Sequence, residues 1–193
     1  IELAESKNDI GDVKDMLTGM KINTHKTLHL AEQFLQLSRA NSHEKLNFYE
    51  ADINTIALNA IDQLWGLANK KQITVKHNFE QEEVWTMAEP NLLERAIINL
   101  ITNAIHALPE GGQVTVSTRQ KDNTVILAVK DTGTGMPPSV RRKIFEPFFT
   151  TKPVGQGTGL GLSVVQGIID SHDGSIQVTS TRGKGSKFEI RLP

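Results

Sequence analysis

The chain has no cysteine, one tyrosine and two tryptophans, and aromatic residues make up only 5% of it. Without cysteine there are no disulfides, no thiolate metal sites and no cysteine nucleophile, a composition that fits a reducing compartment. No apolar run approaches the roughly 18 residues of a transmembrane helix, and no signal peptide is visible. Neither sign of charge dominates: 21 basic and 22 acidic residues leave a net charge of −1. That balance gives no electrostatic footprint for nucleic acid. Internal repeats and low-complexity tracts are also missing. Two common phosphate-binding fingerprints, Gly-x-x-x-x-Gly-Lys-Ser/Thr and Gly-x-Gly-x-x-Gly, occur nowhere. What remains is 193 residues, 38% of them hydrophobic, enough for one large or two small domains.

The pattern divides near residue 41. Val13, Met16, Leu17 and Met20 start a helical stripe that Leu28, Ala31, Phe34 and Leu35 resume, which predicts one long helix over 13–40 with Asp12 as its N-cap. Residues 1–8 are expected to end an earlier helix, so that 1–41 form a helical hairpin. A lone hairpin exposes its apolar stripe, and dimerisation as a four-helix bundle is expected in preference to packing against its own domain. Residues 42–47 read as a polar linker. From there to residue 193 the pattern is mixed. Strands are expected over 48–51, 73–79, 84–87, 114–118, 125–129, 176–178 and 188–192, and helices over 53–69, 91–107 and 159–171. Asp52 and Pro90 stand at helix starts. Antiparallel hairpins with helices between them predict an α+β, two-layer α/β sandwich, with the helices on one sheet face.

The sharpest periodicity is in 91–107, where Leu93, Ala96, Ile97, Leu100, Ile101, Ala104 and Ile105 share one face. Asn99, Asn103 and His106 share the opposite face. Two mid-helix asparagines are mildly unfavourable, and for the helix alone a solvated polar face is as good a reading as a ligand site. Downstream, Asp131-Thr-Gly133-Thr-Gly135-Met136 ends a strand in a glycine turn, where an ionised Asp131 can accept a hydrogen bond from an adenine amino group. Gly155-Gln-Gly157-Thr158-Gly159-Leu160-Gly161-Leu162 runs straight into a helix, an anion site of exposed N–H groups and a positive helix end. Between the two lie Phe145, Phe148, Phe149 and Lys152, a segment suited to act as a lid held by aromatic anchors. Mg²⁺ takes few protein oxygens beside phosphate and water, a role that suits the amide oxygen of Asn103. Together these features describe an ATP site that is not a P-loop. Lys152 and His106 are candidates to reach its phosphates.

The ordered motifs Asn99-Leu-Ile-Thr-Asn103-Ala, Asp131-Thr-Gly-Thr-Gly-Met136, Phe145-Glu-Pro-Phe-Phe-Thr-Thr-Lys152 and Gly157-Thr-Gly-Leu-Gly-Leu162 resemble the asparagine, glycine and phenylalanine boxes of sensor histidine kinases. Those kinases share the Bergerat ATP-binding fold with gyrase, MutL and the heat-shock-90 chaperones. The likeness covers about 85–193, including a closing strand with Ser186 where threonine is usual, and the Pro153-x-Gly-x-Gly-Thr158 spacing is most similar to the nitrogen-regulator subgroup. It implies that Asn103 ligates Mg²⁺, that Asp131 reads adenine, and that Gly133, Gly135, Met136, Gly157, Thr158, Gly159, Leu160, Gly161, Leu162 and Ser186 belong to the nucleotide site. It also implies Asn99 as the catalytic position, where hydrolysing relatives carry glutamate. The implied activity is transfer of the γ-phosphate to a histidine of the dimerisation helix, for relay to an aspartate on a response-regulator receiver domain. A homodimer and a cytoplasmic kinase domain, in a parent with or without an inner-membrane anchor, go with that reading. No phosphoacceptor motif of the His-Glu/Asp-Leu/Ile-Arg/Lys type surrounds His25, His29, His43, His77, His106 or His172. The acceptor is expected upstream of Ile1, and this chain alone is not expected to autophosphorylate. Rival readings are an ATP-hydrolysing machine of the same fold and a silent dimerisation or docking module.

Overall fold

The computed structural model describes residues 13–21, 24, 27, 46–80, 82–109, 111–153 and 157–193. The expected Asp12 cap, the first hairpin helix, the second half of the stripe (Leu28 to Leu35), His25, His29, Gly155 and Gln156 lie outside these residues. Residues 13–21 are helical, with Val13, Met16, Leu17 and Met20 exposed.

The chain then forms β1 (Tyr49–Asp52), α1 (Ile53–Lys70), β2 (Thr74–Phe79), β3 (Trp85–Ala88), α2 (Pro90–Ala107), β4 (Gln113–Lys121) and β5 (Thr124–Asp131). A single-turn helix α3 (Pro138–Arg141), α4 (Gly161–Asp170), β6 (Ser175–Ser180) and β7 (Ser186–Leu192) complete it. Asp52 starts α1 as the sequence predicts. Its carboxylate accepts the N–H groups of Asn54 (3.2 Å) and Thr55 (3.0 Å), and also that of Val84 (2.9 Å), which ties the helix start to the strand beyond. Burial of Asp52 works to raise its pKa, but the hydrogen bonds from Thr55, Val84 and Asn54 outweigh it and hold the carboxyl below the usual range. Glu89 caps α2 by accepting the N–H of Leu92 at 2.6 Å, and Pro90 follows at the first helical position.

The two-layer α+β arrangement is the one expected. A five-stranded sheet in the order β2-β4-β5-β7-β6 carries α1, α2 and α4 on one face. Its core is aliphatic: the predicted stripe of α2 is buried from Leu93 to Ile105, against Val114, Val116, Val125, Leu127, Val129, Ile190 and Leu192. Buried Asn54 is satisfied by the Glu82 carbonyl (3.1 Å) and the Thr118 hydroxyl. One pairing differs from the antiparallel hairpins expected, and one lies outside the main sheet. β2 runs parallel to β4, with β3 and α2 intervening as the crossover. β1 pairs with β3 in a separate two-stranded sheet. Helix α4 begins at Gly161 rather than residue 159, after Gly159 takes a φ of +68° that the helix cannot continue.

Candidate functional site

The polar side of α2 faces the start of α4. A Cβ built on Gly161 would lie 3.6 Å from Asn99 Oδ1 and 3.9 Å from Asn103 Nδ2. Both asparagines therefore look at the N-terminus of α4, where no side chain caps the first turn. A ten-residue helix begun this way presents free N–H groups and a partial positive charge to an anion. Leu160 N–H reaches the Thr158 hydroxyl at 3.3 Å. Leu160 itself is buried and Leu162 half-buried against the core, so these two fix the loop through their side chains.

Asp131 lies at the end of β5, 3% exposed. Its Oδ1 accepts the N–H groups of Gly133 (2.8 Å) and Ser186 (3.2 Å). Burial pushes its carboxyl up, and the hydrogen bonds from Gly133 and Ser186 only partly oppose this. Ser186 is thus the partner of Asp131. Its hydroxyl lies 3.0 Å from that of Ser180, which accepts the N–H of Met136 at 2.8 Å. Gly133 sits against the last carbonyl of α2, where its Cβ would come within 2.5 Å of Ala107 O. Gly135, at a φ of +61°, sits against Thr181 O. The first glycine motif is therefore wedged between α2 and the β6–β7 turn. That turn also needs Gly185: its φ is +83°, and a Cβ there would stand 2.1 Å from Asp131 O.

The segment between the motifs contains the unexpected α3 and folds back on the second glycine loop. A Cβ on Gly159 would be 2.4 Å from Phe148 C, and one on Gly157 2.6 Å from Thr150 Oγ1. Phe145 and Phe149 pack against the core, as the lid reading requires. Phe148 does not; it is 64% exposed at a φ of +66°. Lys152 Nζ donates to His106 Nδ1 at 3.1 Å, which closes the segment onto α2. That bond makes Nδ1 the acceptor and leaves Nε2–H of a neutral imidazole as a donor. His106 is held below its usual range, first by desolvation and then by the ammonium groups of Lys152 and Lys71. Lys152 is lowered first by desolvation and then by Lys71.

The structure thus gathers Asn99, Asn103, His106, Lys152 and the 157–162 loop along α2's polar face, and Asp131, Gly133, Gly135, Met136 and Ser186 around the carbonyl end of the same helix. Three contributors escaped the sequence reading. Ser180 and Gly185 act through a hairpin turn whose two glycines, Gly183 and Gly185, are its local sign, with nothing in the sequence tying it to Asp131. Lys71 reads simply as a lysine closing a helix. Among the described residues no group of three His, Asp or Glu side chains is gathered for a metal, and no helix is long and apolar enough to cross a membrane.

The model of the histidine kinase-, DNA gyrase B- and HSP90-like ATPase family matches residues 88–193, the span that carries every group just described except Lys71. The chain belongs to this family. Within the ATPase family its relatives are sensor histidine kinases. It is 37% identical to the sensor kinase CckA of Brucella abortus over 92% of this chain and 20% of that protein. It is 41% identical to the sensor histidine kinase ZraS of Salmonella typhi over 74% of this chain and 30% of that one. The chain therefore spans between a fifth and a third of these curated relatives. Among solved structures, the nucleotide-free catalytic domain of histidine kinase ThkA superposes with a TM-score of 0.71 at 31% identity, covering 77% of this chain and 96% of that one. Full-length ShkA in complex with AMPPNP gives 0.80 at 25% identity, over 89% of this chain and 36% of that one. ThkA in complex with its response regulator TrrA gives 0.74 at 26% identity, over 88% and 48%.

Proposed function

We propose that the chain binds Mg-ATP between α2 and α4 and delivers its γ-phosphate to a histidine, for relay to an aspartate on a receiver domain. The observation that carries this reading is the uncapped N-terminus of α4 facing the Asn99 and Asn103 amides. Asp131 accepts the adenine amino group. The N–H groups of the 157–162 loop and α4 hold phosphate oxygens, and His106 Nε2–H and the Lys152 ammonium add charge-assisted donors. Asn103 supplies a neutral oxygen ligand for Mg²⁺. The donor set would fit such an ion: an uncharged Asn103 amide stands beside the uncapped start of α4, where phosphate oxygens would supply further ligands. The metal, when bound, neutralises phosphate charge.

In the transfer, an imidazole nitrogen of the acceptor attacks the γ-phosphorus in line. The bond to the β,γ-bridging oxygen breaks, ADP leaves, and the ring proton passes to solvent. Asn99 is an amide, neither charged nor basic, so it positions without activating water; this favours transfer over hydrolysis. The helix over 13–21 is proposed as part of the dimerisation hairpin, its exposed apolar side facing a second copy. The complex of ThkA with its response regulator supports a receiver domain as the partner.

Calorimetric titration of the 193-residue chain with ATP tests the reading, with and without Mg²⁺. Binding that strengthens with Mg²⁺, together with phosphate transfer to an added acceptor-helix fragment, is expected. No heat of binding would overturn it, and steady phosphate release without an acceptor would move the chain to the hydrolysing branch of the family.

A further inference from the structure

Lys71 belongs to neither glycine motif, yet it stands at the same pole of the molecule as Lys152 and His106. Its backbone is pinned on both sides. Its N–H closes α1 on Ala68 O (3.1 Å), and its carbonyl accepts the N–H of Gly111 (3.0 Å) from the loop that follows α2. Its side chain then crosses to α2, where Nζ donates to Ile105 O at 3.3 Å, one residue before His106. The last turn of a helix welcomes a cation, because its carbonyls carry partial negative charge. This turn collects three basic groups: Lys71, Lys152 and His106. Among the described residues the ion pairs are those of Glu189 with Lys187 and Arg191, within β7. Among the described residues none of the three basic groups is paired with a carboxylate. Lys71 repels the charge on Lys152, and the two ammonium groups together disfavour charge on His106, in each case adding to desolvation, the larger cause. An anion of high charge lying along α2 relieves that repulsion, and relieves it more for each phosphate it carries.

We infer that Lys71 is a positioning residue that, with Lys152 and the neutral His106 ring, completes a basic pole and sets the preference of this site for a triphosphate over shorter phosphate chains. The inference rests on the ATP reading above. It acts through charge and through the anchored end of α2, not by touching the reacting atoms. A residue that merely closes two helices would affect every ligand of the site equally.

The test is competition calorimetry of the 193-residue chain with ATP, ADP and adenosine, comparing the unmodified protein with Lys71→Gln and Lys71→Arg. Lys71→Gln is expected to weaken ATP roughly five- to tenfold and ADP by a smaller factor, with adenosine changed less than about twofold. Lys71→Arg, which keeps the charge, is expected to restore the ATP-to-ADP ratio. Raising the salt to about 1 M should shrink the difference between Lys71→Gln and the unmodified chain, since the Debye length falls to about 3 Å there. An equal loss for all three ligands with a lower melting temperature, or unchanged ATP affinity in Lys71→Gln, overturns the inference while leaving the ATP reading intact. An unmodified chain that binds no ATP overturns both.

Discussion

Asp131 carries two opposed demands. To accept an adenine amino group it has to be ionised, whereas its burial favours the protonated form. The sign of each pH effect follows. A carboxyl with a raised folded pKa stabilises the fold below its unfolded value, and that contribution is lost as pH rises through the folded one. Nucleotide affinity runs the other way and falls on acidification, starting at a higher pH than for an ordinary aspartate. Asp131→Asn is expected to weaken ATP and ADP alike, by about 1.5–3 kcal/mol, the range for a hydrogen bond to a charged group. It should also flatten the acid limb of affinity measured by calorimetry between about pH 4.5 and 7.5. Asn103→Ala, in contrast, should mainly abolish the gain on adding Mg²⁺. Loss of Mg²⁺ dependence in Asp131→Asn, or its persistence in Asn103→Ala, contradicts these assignments. At this scale the sequence was legible where a residue type is unusual for its place, as with mid-helix asparagines or an aspartate entering a glycine turn. Lys71 was not, because its meaning depends on Ile105 and Lys152, residues distant in sequence.

Elements were legible through periodicity and caps. The buried stripe of α2 and the Asp52 cap agree with expectation residue by residue, since both are set by local geometry. α3 was missed because a single helical turn leaves no periodic signal. The aromatic anchors were overcounted because spacing alone does not tell packed Phe145 and Phe149 from exposed Phe148. Asp52→Ala should cost about 1–2 kcal/mol by denaturant unfolding, the upper end of cap losses, because Val84 loses its acceptor as well. The depressed pKa of Asp52 means that this contribution is present above the ordinary carboxylate range and lost as pH falls through the folded value. Gly185→Ala should cost more: a positive φ is strained for alanine, and the new methyl meets Asp131 O. The β6–β7 turn then moves off Asp131, so nucleotide affinity should fall with stability. A Gly185→Ala protein with unchanged affinity would detach that turn from the site.

The parallel pairing of β2 with β4 is a property of the whole molecule. No local pattern announces it, because it is decided by α2 packing across the sheet between the two strands. The same holds for His172, which the sequence offers only as a residue in a turn. It is 3% exposed, and its two ring nitrogens hold separate elements together. Nδ1–H donates to Ile168 O (2.7 Å) in α4, while Nε2 accepts the N–H of Glu89 (3.0 Å) at the head of α2. The Phe48 ring stands edge-on beside it. That set of bonds exists only for the neutral imidazole, since a protonated Nε2 cannot accept. Desolvation accordingly holds His172 below its usual range, against the opposite pull of the Ile168 carbonyl and of the Glu89 and Asp173 carboxylates. A histidine with a depressed folded pKa adds no pH slope well above the unfolded value near 6.5, where both states are neutral. Stability falls as pH drops through that value, because the unfolded chain takes up the proton first. Unfolding by urea at pH 7.5 and 5.5 should therefore show a lower midpoint at the acid end. His172→Gln should start from lower stability and show a shallower slope. Some slope remains, because His106 is depressed in the same sense. If His172→Gln keeps the full slope, the proton enters elsewhere, and His172 does not govern how the two helices that frame the site are held together in acid.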